Sequence, residues 1–308
     1  MNRVALQVII PIYHPDDKFI DLLNMLKKQT IKDIPVLIID SGSDKGWCKA
    51  TRGLHLQLKE IDSKDFNHGG TRQLGIDMCS DKDIIIFLTQ DAILADENSI
   101  ENLVKAFNDI SVGCAYGRQL PHKDATVFAS FARLHNYPAD SYVRSYEDRD
   151  KYGMKTAFIS NSFAAYRRIA MEKIGGFPSH VILSEDMYVA VRMLMSGWKV
   201  AYVAEAKVYH SHNYTVWQEF KRYFDIGVFH ARERWIRENI GAAENNGKEF
   251  ILDEFRYLLN SSPLLIFEMI FRDGMKFLGY RLGIEERFLP TVVKKYTSMN
   301  YSFFRSGD

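Results

Sequence analysis

The sequence is poor in the features that staple or anchor a protein. Cysteine is scarce: Cys48, Cys79 and Cys114 are its three thiols, and no two form a CxxC pair. Such an odd, scattered set argues against a disulfide scaffold and against a cysteine-built zinc site. No run reaches the roughly 18 apolar residues that a membrane-spanning helix requires. The apolar stretch within Met1–Ile12 lacks the basic flank and small-residue cleavage site of a secretory leader, and reads as a first strand. An excess of one charge is also missing. Lys and Arg number 40 against 39 Asp and Glu, a net charge of +1, which offers no electrostatic footprint for nucleic acid. Repeats and low-complexity tracts are not seen. These absences predict a cytoplasmic protein that meets a membrane, if at all, only peripherally on its inner face.

What is present is enough apolar residue, 46% of 308, to bury one large core. Val8–Tyr13, Pro35–Asp40 and Asp83–Leu88 are continuous apolar runs, as expected of strands buried on both faces. Leu54–Ile61 reads as a further strand. Between them, Asp16–Gln29 carries Phe19, Leu22, Leu23 and Leu26 at helical spacing, and Gly70–Met78 and the Ile100–Phe107 region also read as helices. This alternation predicts an α/β fold with a mostly parallel sheet flanked by helices. Ligands then bind outside the carboxyl ends of the strands. Polar clusters stand at three such ends: Asp40-Ser41, Asn67–Arg72 and Thr89-Gln90-Asp91. The middle of the chain is less regular, and Asp140–Gly153, rich in charge and tyrosine, reads as a mobile loop.

Several residues have the chemistry of a group-transfer site. Asp91 follows a buried strand and can bind Mg²⁺ or Mn²⁺, although a turn or cap aspartate would look the same. Asp186 lies in the first turn of a helix read from Ser184 as N-cap to Gly197 as terminator. Asp186 and Glu185 there suit a general base, or simply complement the helix dipole. His210 and His212 end a strand-like KVYHSH and share a face, so one could complete a metal site begun by Asp91. Asp40 could accept from a pyrimidine N3–H, or lead the SGSD turn. In Asn67–Arg72, Gly69 and Gly70 would allow close backbone approach to a ligand, with Arg72 as the cation.

Taken in order, VIIPIYH, IIDSGSD, DFNHGGTRQLGI, FLTQDA, IGGFPS, SEDMYVAVRMLMSGW and AKVYHSHNY resemble the inverting GT-A glycosyltransferases of family 2. DFNHGGTR and HSHNY are most similar to its bacterial rhamnosyltransferases. The likeness covers roughly residues 7–215. It implies a GT-A, Rossmann-like catalytic domain over 1–214 and a C-terminal helical region over 215–308. It implies that Pro11, Tyr13, Asp40, Ser41, Asn67, Arg72, Gln90 and Asp91 bind the nucleotide sugar. Asp91, with His210 or His212, would hold Mg²⁺ or Mn²⁺, and Asp186, beside Glu185, would act as base. The family's DXD begins here with Thr89 instead of aspartate, so the metal has less protein charge and is expected to arrive with the donor's diphosphate. The implied reaction moves L-rhamnose from dTDP-L-rhamnose onto a hydroxyl of a polyprenyl-diphosphate-linked glycan in bacterial surface-polysaccharide synthesis. UDP-galactose or UDP-glucose as donor, and an inactive nucleotide-sugar-binding homologue, are the alternatives. A nucleotidyltransferase is disfavoured, because PIYHPDD stands where a glycine-rich basic loop would follow the first strand.

The C-terminal third predicts two long helices. Trp217–Glu238 carries Arg222, which could approach a diphosphate. Pro263–Leu282 places Leu264, Phe267, Phe271, Met275, Leu278 and Leu282 on one stripe. That stripe reads either as core packing or a dimer seam, which is the expectation for most of its residues, or as a face lying on an anionic membrane.

Overall fold

The computed structural model describes residues 4–241 and 244–304. Its centre is β1 (Leu6–Ile12), whose side chains divide between two cores. Val8, Ile10 and Ile12 enter one with Phe19, Leu22 and Leu23 of α1 (Asp17–Lys28) and Ile100 and Leu103 of α3 (Ser99–Lys105). Ile9 points the other way. It joins Ile76 of α2 (His68–Asp77), Met171 of α6 (Arg168–Ile174) and Val189 of α7 (Glu185–Met195). A strand covered on both faces has no solvent side, which is why its sequence does not alternate.

Around β1 lie β2 (Val36–Asp40), β3 (Leu56–Glu60) and β4 (Ile84–Leu88), all parallel to it. The sheet continues through β8 (Phe163–Arg167), β6 (Val112–Leu120) and β9 (Lys199–Tyr209) to the short β5 (Ile93–Leu94), with β7 (Tyr142–Arg144) pairing β9 on its own. β8 runs antiparallel to both β4 and β6, and β9 runs parallel to β6. Six of the nine strands, β1–β4, β6 and β9, therefore point one way, as a mostly parallel sheet requires. The reversed β8 matters for function. Its register, Leu88 opposite Phe163, puts the residues before β8 beside the carboxyl end of β4.

The segment expected as a mobile loop is built of short elements. β7 joins the sheet, and α5 (Arg149–Tyr152) follows it. Arg144 lies 4.0 Å from the Tyr142 ring and 4.3 Å from the Tyr152 ring, so the tyrosines and cations stack on one another. α4 (Val127–Asn136) precedes this region.

The helix expected over Trp217–Glu238 is two helices, α8 (Val216–Arg232) and α9 (Arg234–Ile240). The break falls at Glu233, whose backbone leaves the helical region and whose carboxylate accepts from the Trp235 indole at 2.7 Å. Phe224, Val228 and Phe229 of α8 join the same core as Ile9. α10 (Glu244–Ser261), a short 3₁₀ turn at Pro263–Leu265, α11 (Ile266–Ile284) and α12 (Thr291–Thr297) complete the chain. α8 and α11 meet backbone to backbone. A Cβ on Gly279 would stand 2.3 Å from the Phe220 carbonyl oxygen, and one on Gly283 2.1 Å from that of Phe224.

The apolar stripe of α11 corrects the expectation of core packing. Leu264, Phe267, Phe271 and Leu278 are exposed, while Met275 and Leu282 are half-buried. The inner face is instead held by those glycines and by charge.

Candidate active site

Parallel register brings the polar clusters to one edge. Ile12 lies opposite Asp40, and Leu120 opposite Tyr209, so β1, β2, β6 and β9 end together beside β4. Thr89–Asp91, Asp40-Ser41, His210–His212 and the Ser160–Ser162 turn before β8 all open onto this edge.

Asp91 gathers the two histidines. Its carboxylate lies 3.4 Å from His210 Nε2 and 3.7 Å from His212 Nδ1, and the imidazole rings are 4.7 Å apart. The three ligand atoms fall within 4.8 Å of one another. Burial opposes the charge on Asp91, but His210 and His212 outweigh it and hold the carboxyl well below its usual range. Burial and the neighbouring His210 push His212 down to about 3, so its ring is neutral and keeps a lone pair at pH 7. One carboxylate and two imidazoles suit a divalent cation. Both histidines stand within reach of Asp91, where sequence reasoning left the choice between them open.

Gln119 orients His210 from behind. Its Oε1 accepts from His210 Nδ1 at 2.9 Å and also from Arg133 Nη1, while its Nε2 donates to Ser160 Oγ at 2.9 Å. An oxygen that already faces a guanidinium accepts from the ring, so the proton sits on Nδ1 and the Nε2 lone pair is left toward Asp91.

The second half of the site is the start of α7. Ser184 does not cap it by its side chain as expected: it sits at φ +58°, a left-handed conformation unusual for serine. Gly197 does end the helix, at φ +86°. Asp186 accepts from the Asn161 backbone N–H at 3.1 Å and from that of Met187 at 2.8 Å. Burial and then the charge of Glu185 raise its pKa to about 6, which keeps it ionised at neutral pH yet basic enough to take a proton. Glu185 goes the other way. Burial disfavours its charge, but Arg72, His68 and the Asn161 amide overcome this and lower its pKa. Arg72 Nη1 is 3.1 Å from Glu185, and Asn161 Nδ2 donates to it at 2.8 Å. Adjacent carboxyls with pKa values driven apart are a mark of acid–base sites.

The Ser160-Asn161-Ser162 turn joins the halves. Ser162 Oγ lies 3.4 Å from His210 Nε2, Ser160 holds Gln119, and Asn161 holds both Glu185 and Asp186. Sequence reasoning missed Gln119, Arg133 and Asn161. The ISNSF string before a short apolar strand was the available signal.

The other candidates are partly committed to the fold itself. Asp40 Oδ1 accepts from the Gly42 and Ser43 amides, and Oδ2 takes Lys45 at 2.6 Å. Burial works against its charge, yet these partners lower its pKa. Ser41 Oγ donates to the Ile12 carbonyl. Gln90 exchanges two hydrogen bonds with the Tyr13 backbone, and leaves the Tyr13 ring exposed and Pro11 half-buried beside the edge. Asn67 caps α2 through Gly70 N–H and donates to the Ser179 carbonyl. Gly69 meets protein where a ligand was expected, since a Cβ there would be 1.8 Å from the Pro178 carbonyl oxygen. Arg72 faces Glu185 and no open cleft. Arg222 is exposed, lies 5.9 Å over the Tyr214 ring, and has no ion-pair partner among the described residues. Tyr214 stacks on His212 at 5.1 Å, which places Arg222 near the metal half.

A late segment closes over α2. Buried Asp225 on α8 accepts from Ser298 Oγ, the Met299 N–H, and both the backbone and the side-chain nitrogen of Asn300. Asn300 Oδ1 in turn is 3.1 Å from His68 Nε2, at the first turn of α2.

Comparison with known proteins gives the family. The family model described as Glycosyl transferase family 2 matches residues 7–175. The O-antigen chain rhamnosyltransferase RfbN of Salmonella typhimurium is 47% identical over 304 residues, covering 98% of this chain and 97% of RfbN. The O-antigen chain rhamnosyltransferase WbaN of Salmonella anatum is 42% identical, over 97% of this chain and 95% of its own. Among solved structures, the mannosyltransferase PcManGT of Pyrobaculum calidifontis, in complex with GDP-Man and Mn²⁺, superposes with a TM-score of 0.59 at 17% identity, over 98% of this chain and 85% of its own. That last likeness speaks to the GT-A fold. With the family model over more than half of the chain and the rhamnosyltransferases over nearly all of it, the chain belongs to glycosyltransferase family 2.

Proposed function

We propose that this protein transfers L-rhamnose from dTDP-L-rhamnose to a hydroxyl of a lipid-linked O-antigen glycan in the cytoplasm, with inversion at the anomeric carbon. The full-length relatives named as O-antigen chain rhamnosyltransferases support the sugar and the acceptor class. One observation carries the mechanism: the Ser160–Ser162 turn contacts both His210, beside Asp91, and Asp186. Two reacting functions held by one turn can act on the entering and leaving oxygens at one anomeric carbon.

Asp186 accepts the proton of the acceptor hydroxyl. Its backbone donors fix the carboxylate, and Glu185, anchored to Arg72, raises its basicity through like charge. Asp91, His210 and His212 would hold Mn²⁺ or Mg²⁺, which when bound supplies positive charge to the leaving diphosphate. Two imidazoles make this set softer than an all-oxygen Mg²⁺ site, so Mn²⁺ is expected to serve better. Arg222 faces the same diphosphate. Asp40 reads the thymine N3–H by releasing its Lys45 partner, with Tyr13 and Pro11 beside the base. Residues 1–214 then form the donor and catalytic unit, and 215–308 the acceptor side.

The test is transfer by the purified protein with dTDP-L-rhamnose, UDP-galactose or UDP-glucose, with Mn²⁺, Mg²⁺ or chelator, followed by NMR of the product anomer. Rhamnosyl transfer with inverted configuration is expected. Preference for a UDP-hexose would refute the donor, and retained configuration would refute the single displacement.

A further inference from the structure

α11 is built inside out. Its inward face carries buried Lys276 and half-buried Arg272 and Asp273, facing Glu219 of α8 and Glu254 of α10, with Arg272–Glu219 at 3.0 Å and Lys276–Asp273 at 3.0 Å. Its outward face, extended to the turn before it, carries Leu264, Phe267, Ile270, Phe271, Phe277 and Leu278, which are between 56% and 86% exposed. On α10, Leu252 and Leu259 add further exposed apolar area, each 55% accessible. Single exposed apolar residues are ordinary, but a contiguous row of this length is not, and such rows mark a partner.

The surrounding charge selects the partner. Arg281 and Arg287 stand exposed at one end of the row and Lys248 on α10, and none of the three makes an ion pair among the described residues. Of the acids nearby, Glu249 is held by Lys155, Asp253 by Arg256 and Glu268 by Arg272, which leaves Glu285. A two-fold dimer would set this face against itself and bring its cations together. An anionic lipid surface would accept both the phenylalanines and the arginines. No helix among the described residues is long and apolar enough to cross a bilayer, so the face can only lie on one.

We infer that the outer face of α11, with the exposed row of α10, is a docking surface for an anionic membrane. The helix lies in the interface plane with Phe267 and Phe271 among the acyl chains and Arg281 at the headgroups. This does not depend on which sugar the enzyme moves.

The test uses the full chain and sugar-free vesicles of phosphatidylglycerol and phosphatidylethanolamine, with pure phosphatidylcholine vesicles as comparison. Co-sedimentation with the anionic vesicles is expected, falling about tenfold or more on phosphatidylcholine and in high salt. Phe267→Ser combined with Phe271→Ser should lose about tenfold or more of the binding. The same variant should unfold within about 2 °C of wild type and hydrolyse donor normally, because exposed side chains hold little of the fold. Arg281→Glu should weaken binding on anionic vesicles alone. The inference is overturned by failure to sediment with anionic vesicles at low salt, or by a double serine variant that binds as wild type does. It is equally overturned by a wild-type dimer in sedimentation velocity that the double variant disperses, which would assign the face to a second copy.

Discussion

Around β1, the buried carboxylates lie at the rim of a cleft. Asp91 has two imidazoles beside it, and Asp186 has amide donors and a like-charged neighbour. In the layer of α8, α10 and α11, half-buried acids face cations: Glu219 meets Arg272 and Lys276, and Asp273 meets Lys276. Depth is similar in the two regions, but the compensation is not. In this pair of regions the carboxylate held by amides is the one proposed as base, and the ones matched to cations hold helices together. The same contrast separates the neighbours Glu185, paired to Arg72, and Asp186, which is not.

The largest test of that contrast is Asp186→Asn. Transfer should fall about 10²–10⁴-fold, the range for a positioned base, while dTDP affinity and the unfolding temperature stay near wild type. A loss of fold here would erase the distinction. Lys276→Met should do the reverse, costing about 3–5 kcal/mol in denaturant unfolding because half-buried Asp273 and Glu219 lose it as a partner. Activity per folded molecule should persist, and a neutral variant would mean that the cluster is not a matched one. Gln119→Leu should weaken Mn²⁺ binding, measured by calorimetry in the presence of dTDP, about 10–100-fold, and Gln119→Glu should restore much of it. A pH series sharpens the same point. Log kcat/KM should fall with unit slope as pH drops below about 6, where Asp186 takes up its proton. A plateau down to pH 4.5 would remove the base from Asp186. The smallest effect is expected for Phe271→Ser, about 0.5 kcal/mol or less in solution, against about 2–5 kcal/mol for Leu22→Ala in the buried face of α1.

That last pair shows where sequence reasoning succeeds and where it stops. α1 and α11 both carry apolar residues at helical spacing. Spacing identifies a stripe and leaves open what the stripe meets. For α1 it is the sheet. For α11 the protein side is taken by Gly279, Gly283 and paired charges, partners supplied by residues about 50 positions away in α8. The strands were legible because their runs are short, continuous and bounded by turns, and the meeting of Asp91 with His210 and His212 was legible because each follows an apolar strand-like run. Gln119 and Asn161 were not legible. Their meaning lies in His210 and Glu185, 91 and 24 residues away, and no local period points there. Asn67 and Arg72 read as ligand contacts from the glycines between them, the cation and the family resemblance. In the structure Asn67 Nδ2 donates to the Ser179 carbonyl and Arg72 Nη1 to that of His68.

The Asp225–Asn300–His68 connection has a consequence in time. α2 acquires its contact at His68 only after residue 300 has left the ribosome, since Asn300 supplies it. A nascent chain that already holds every residue from Asp40 to His212 therefore still waits on a segment nearly ninety positions downstream before that end of the cleft is complete. Truncation just before Ser298 would leave the whole proposed catalytic set translated and this latch unmade.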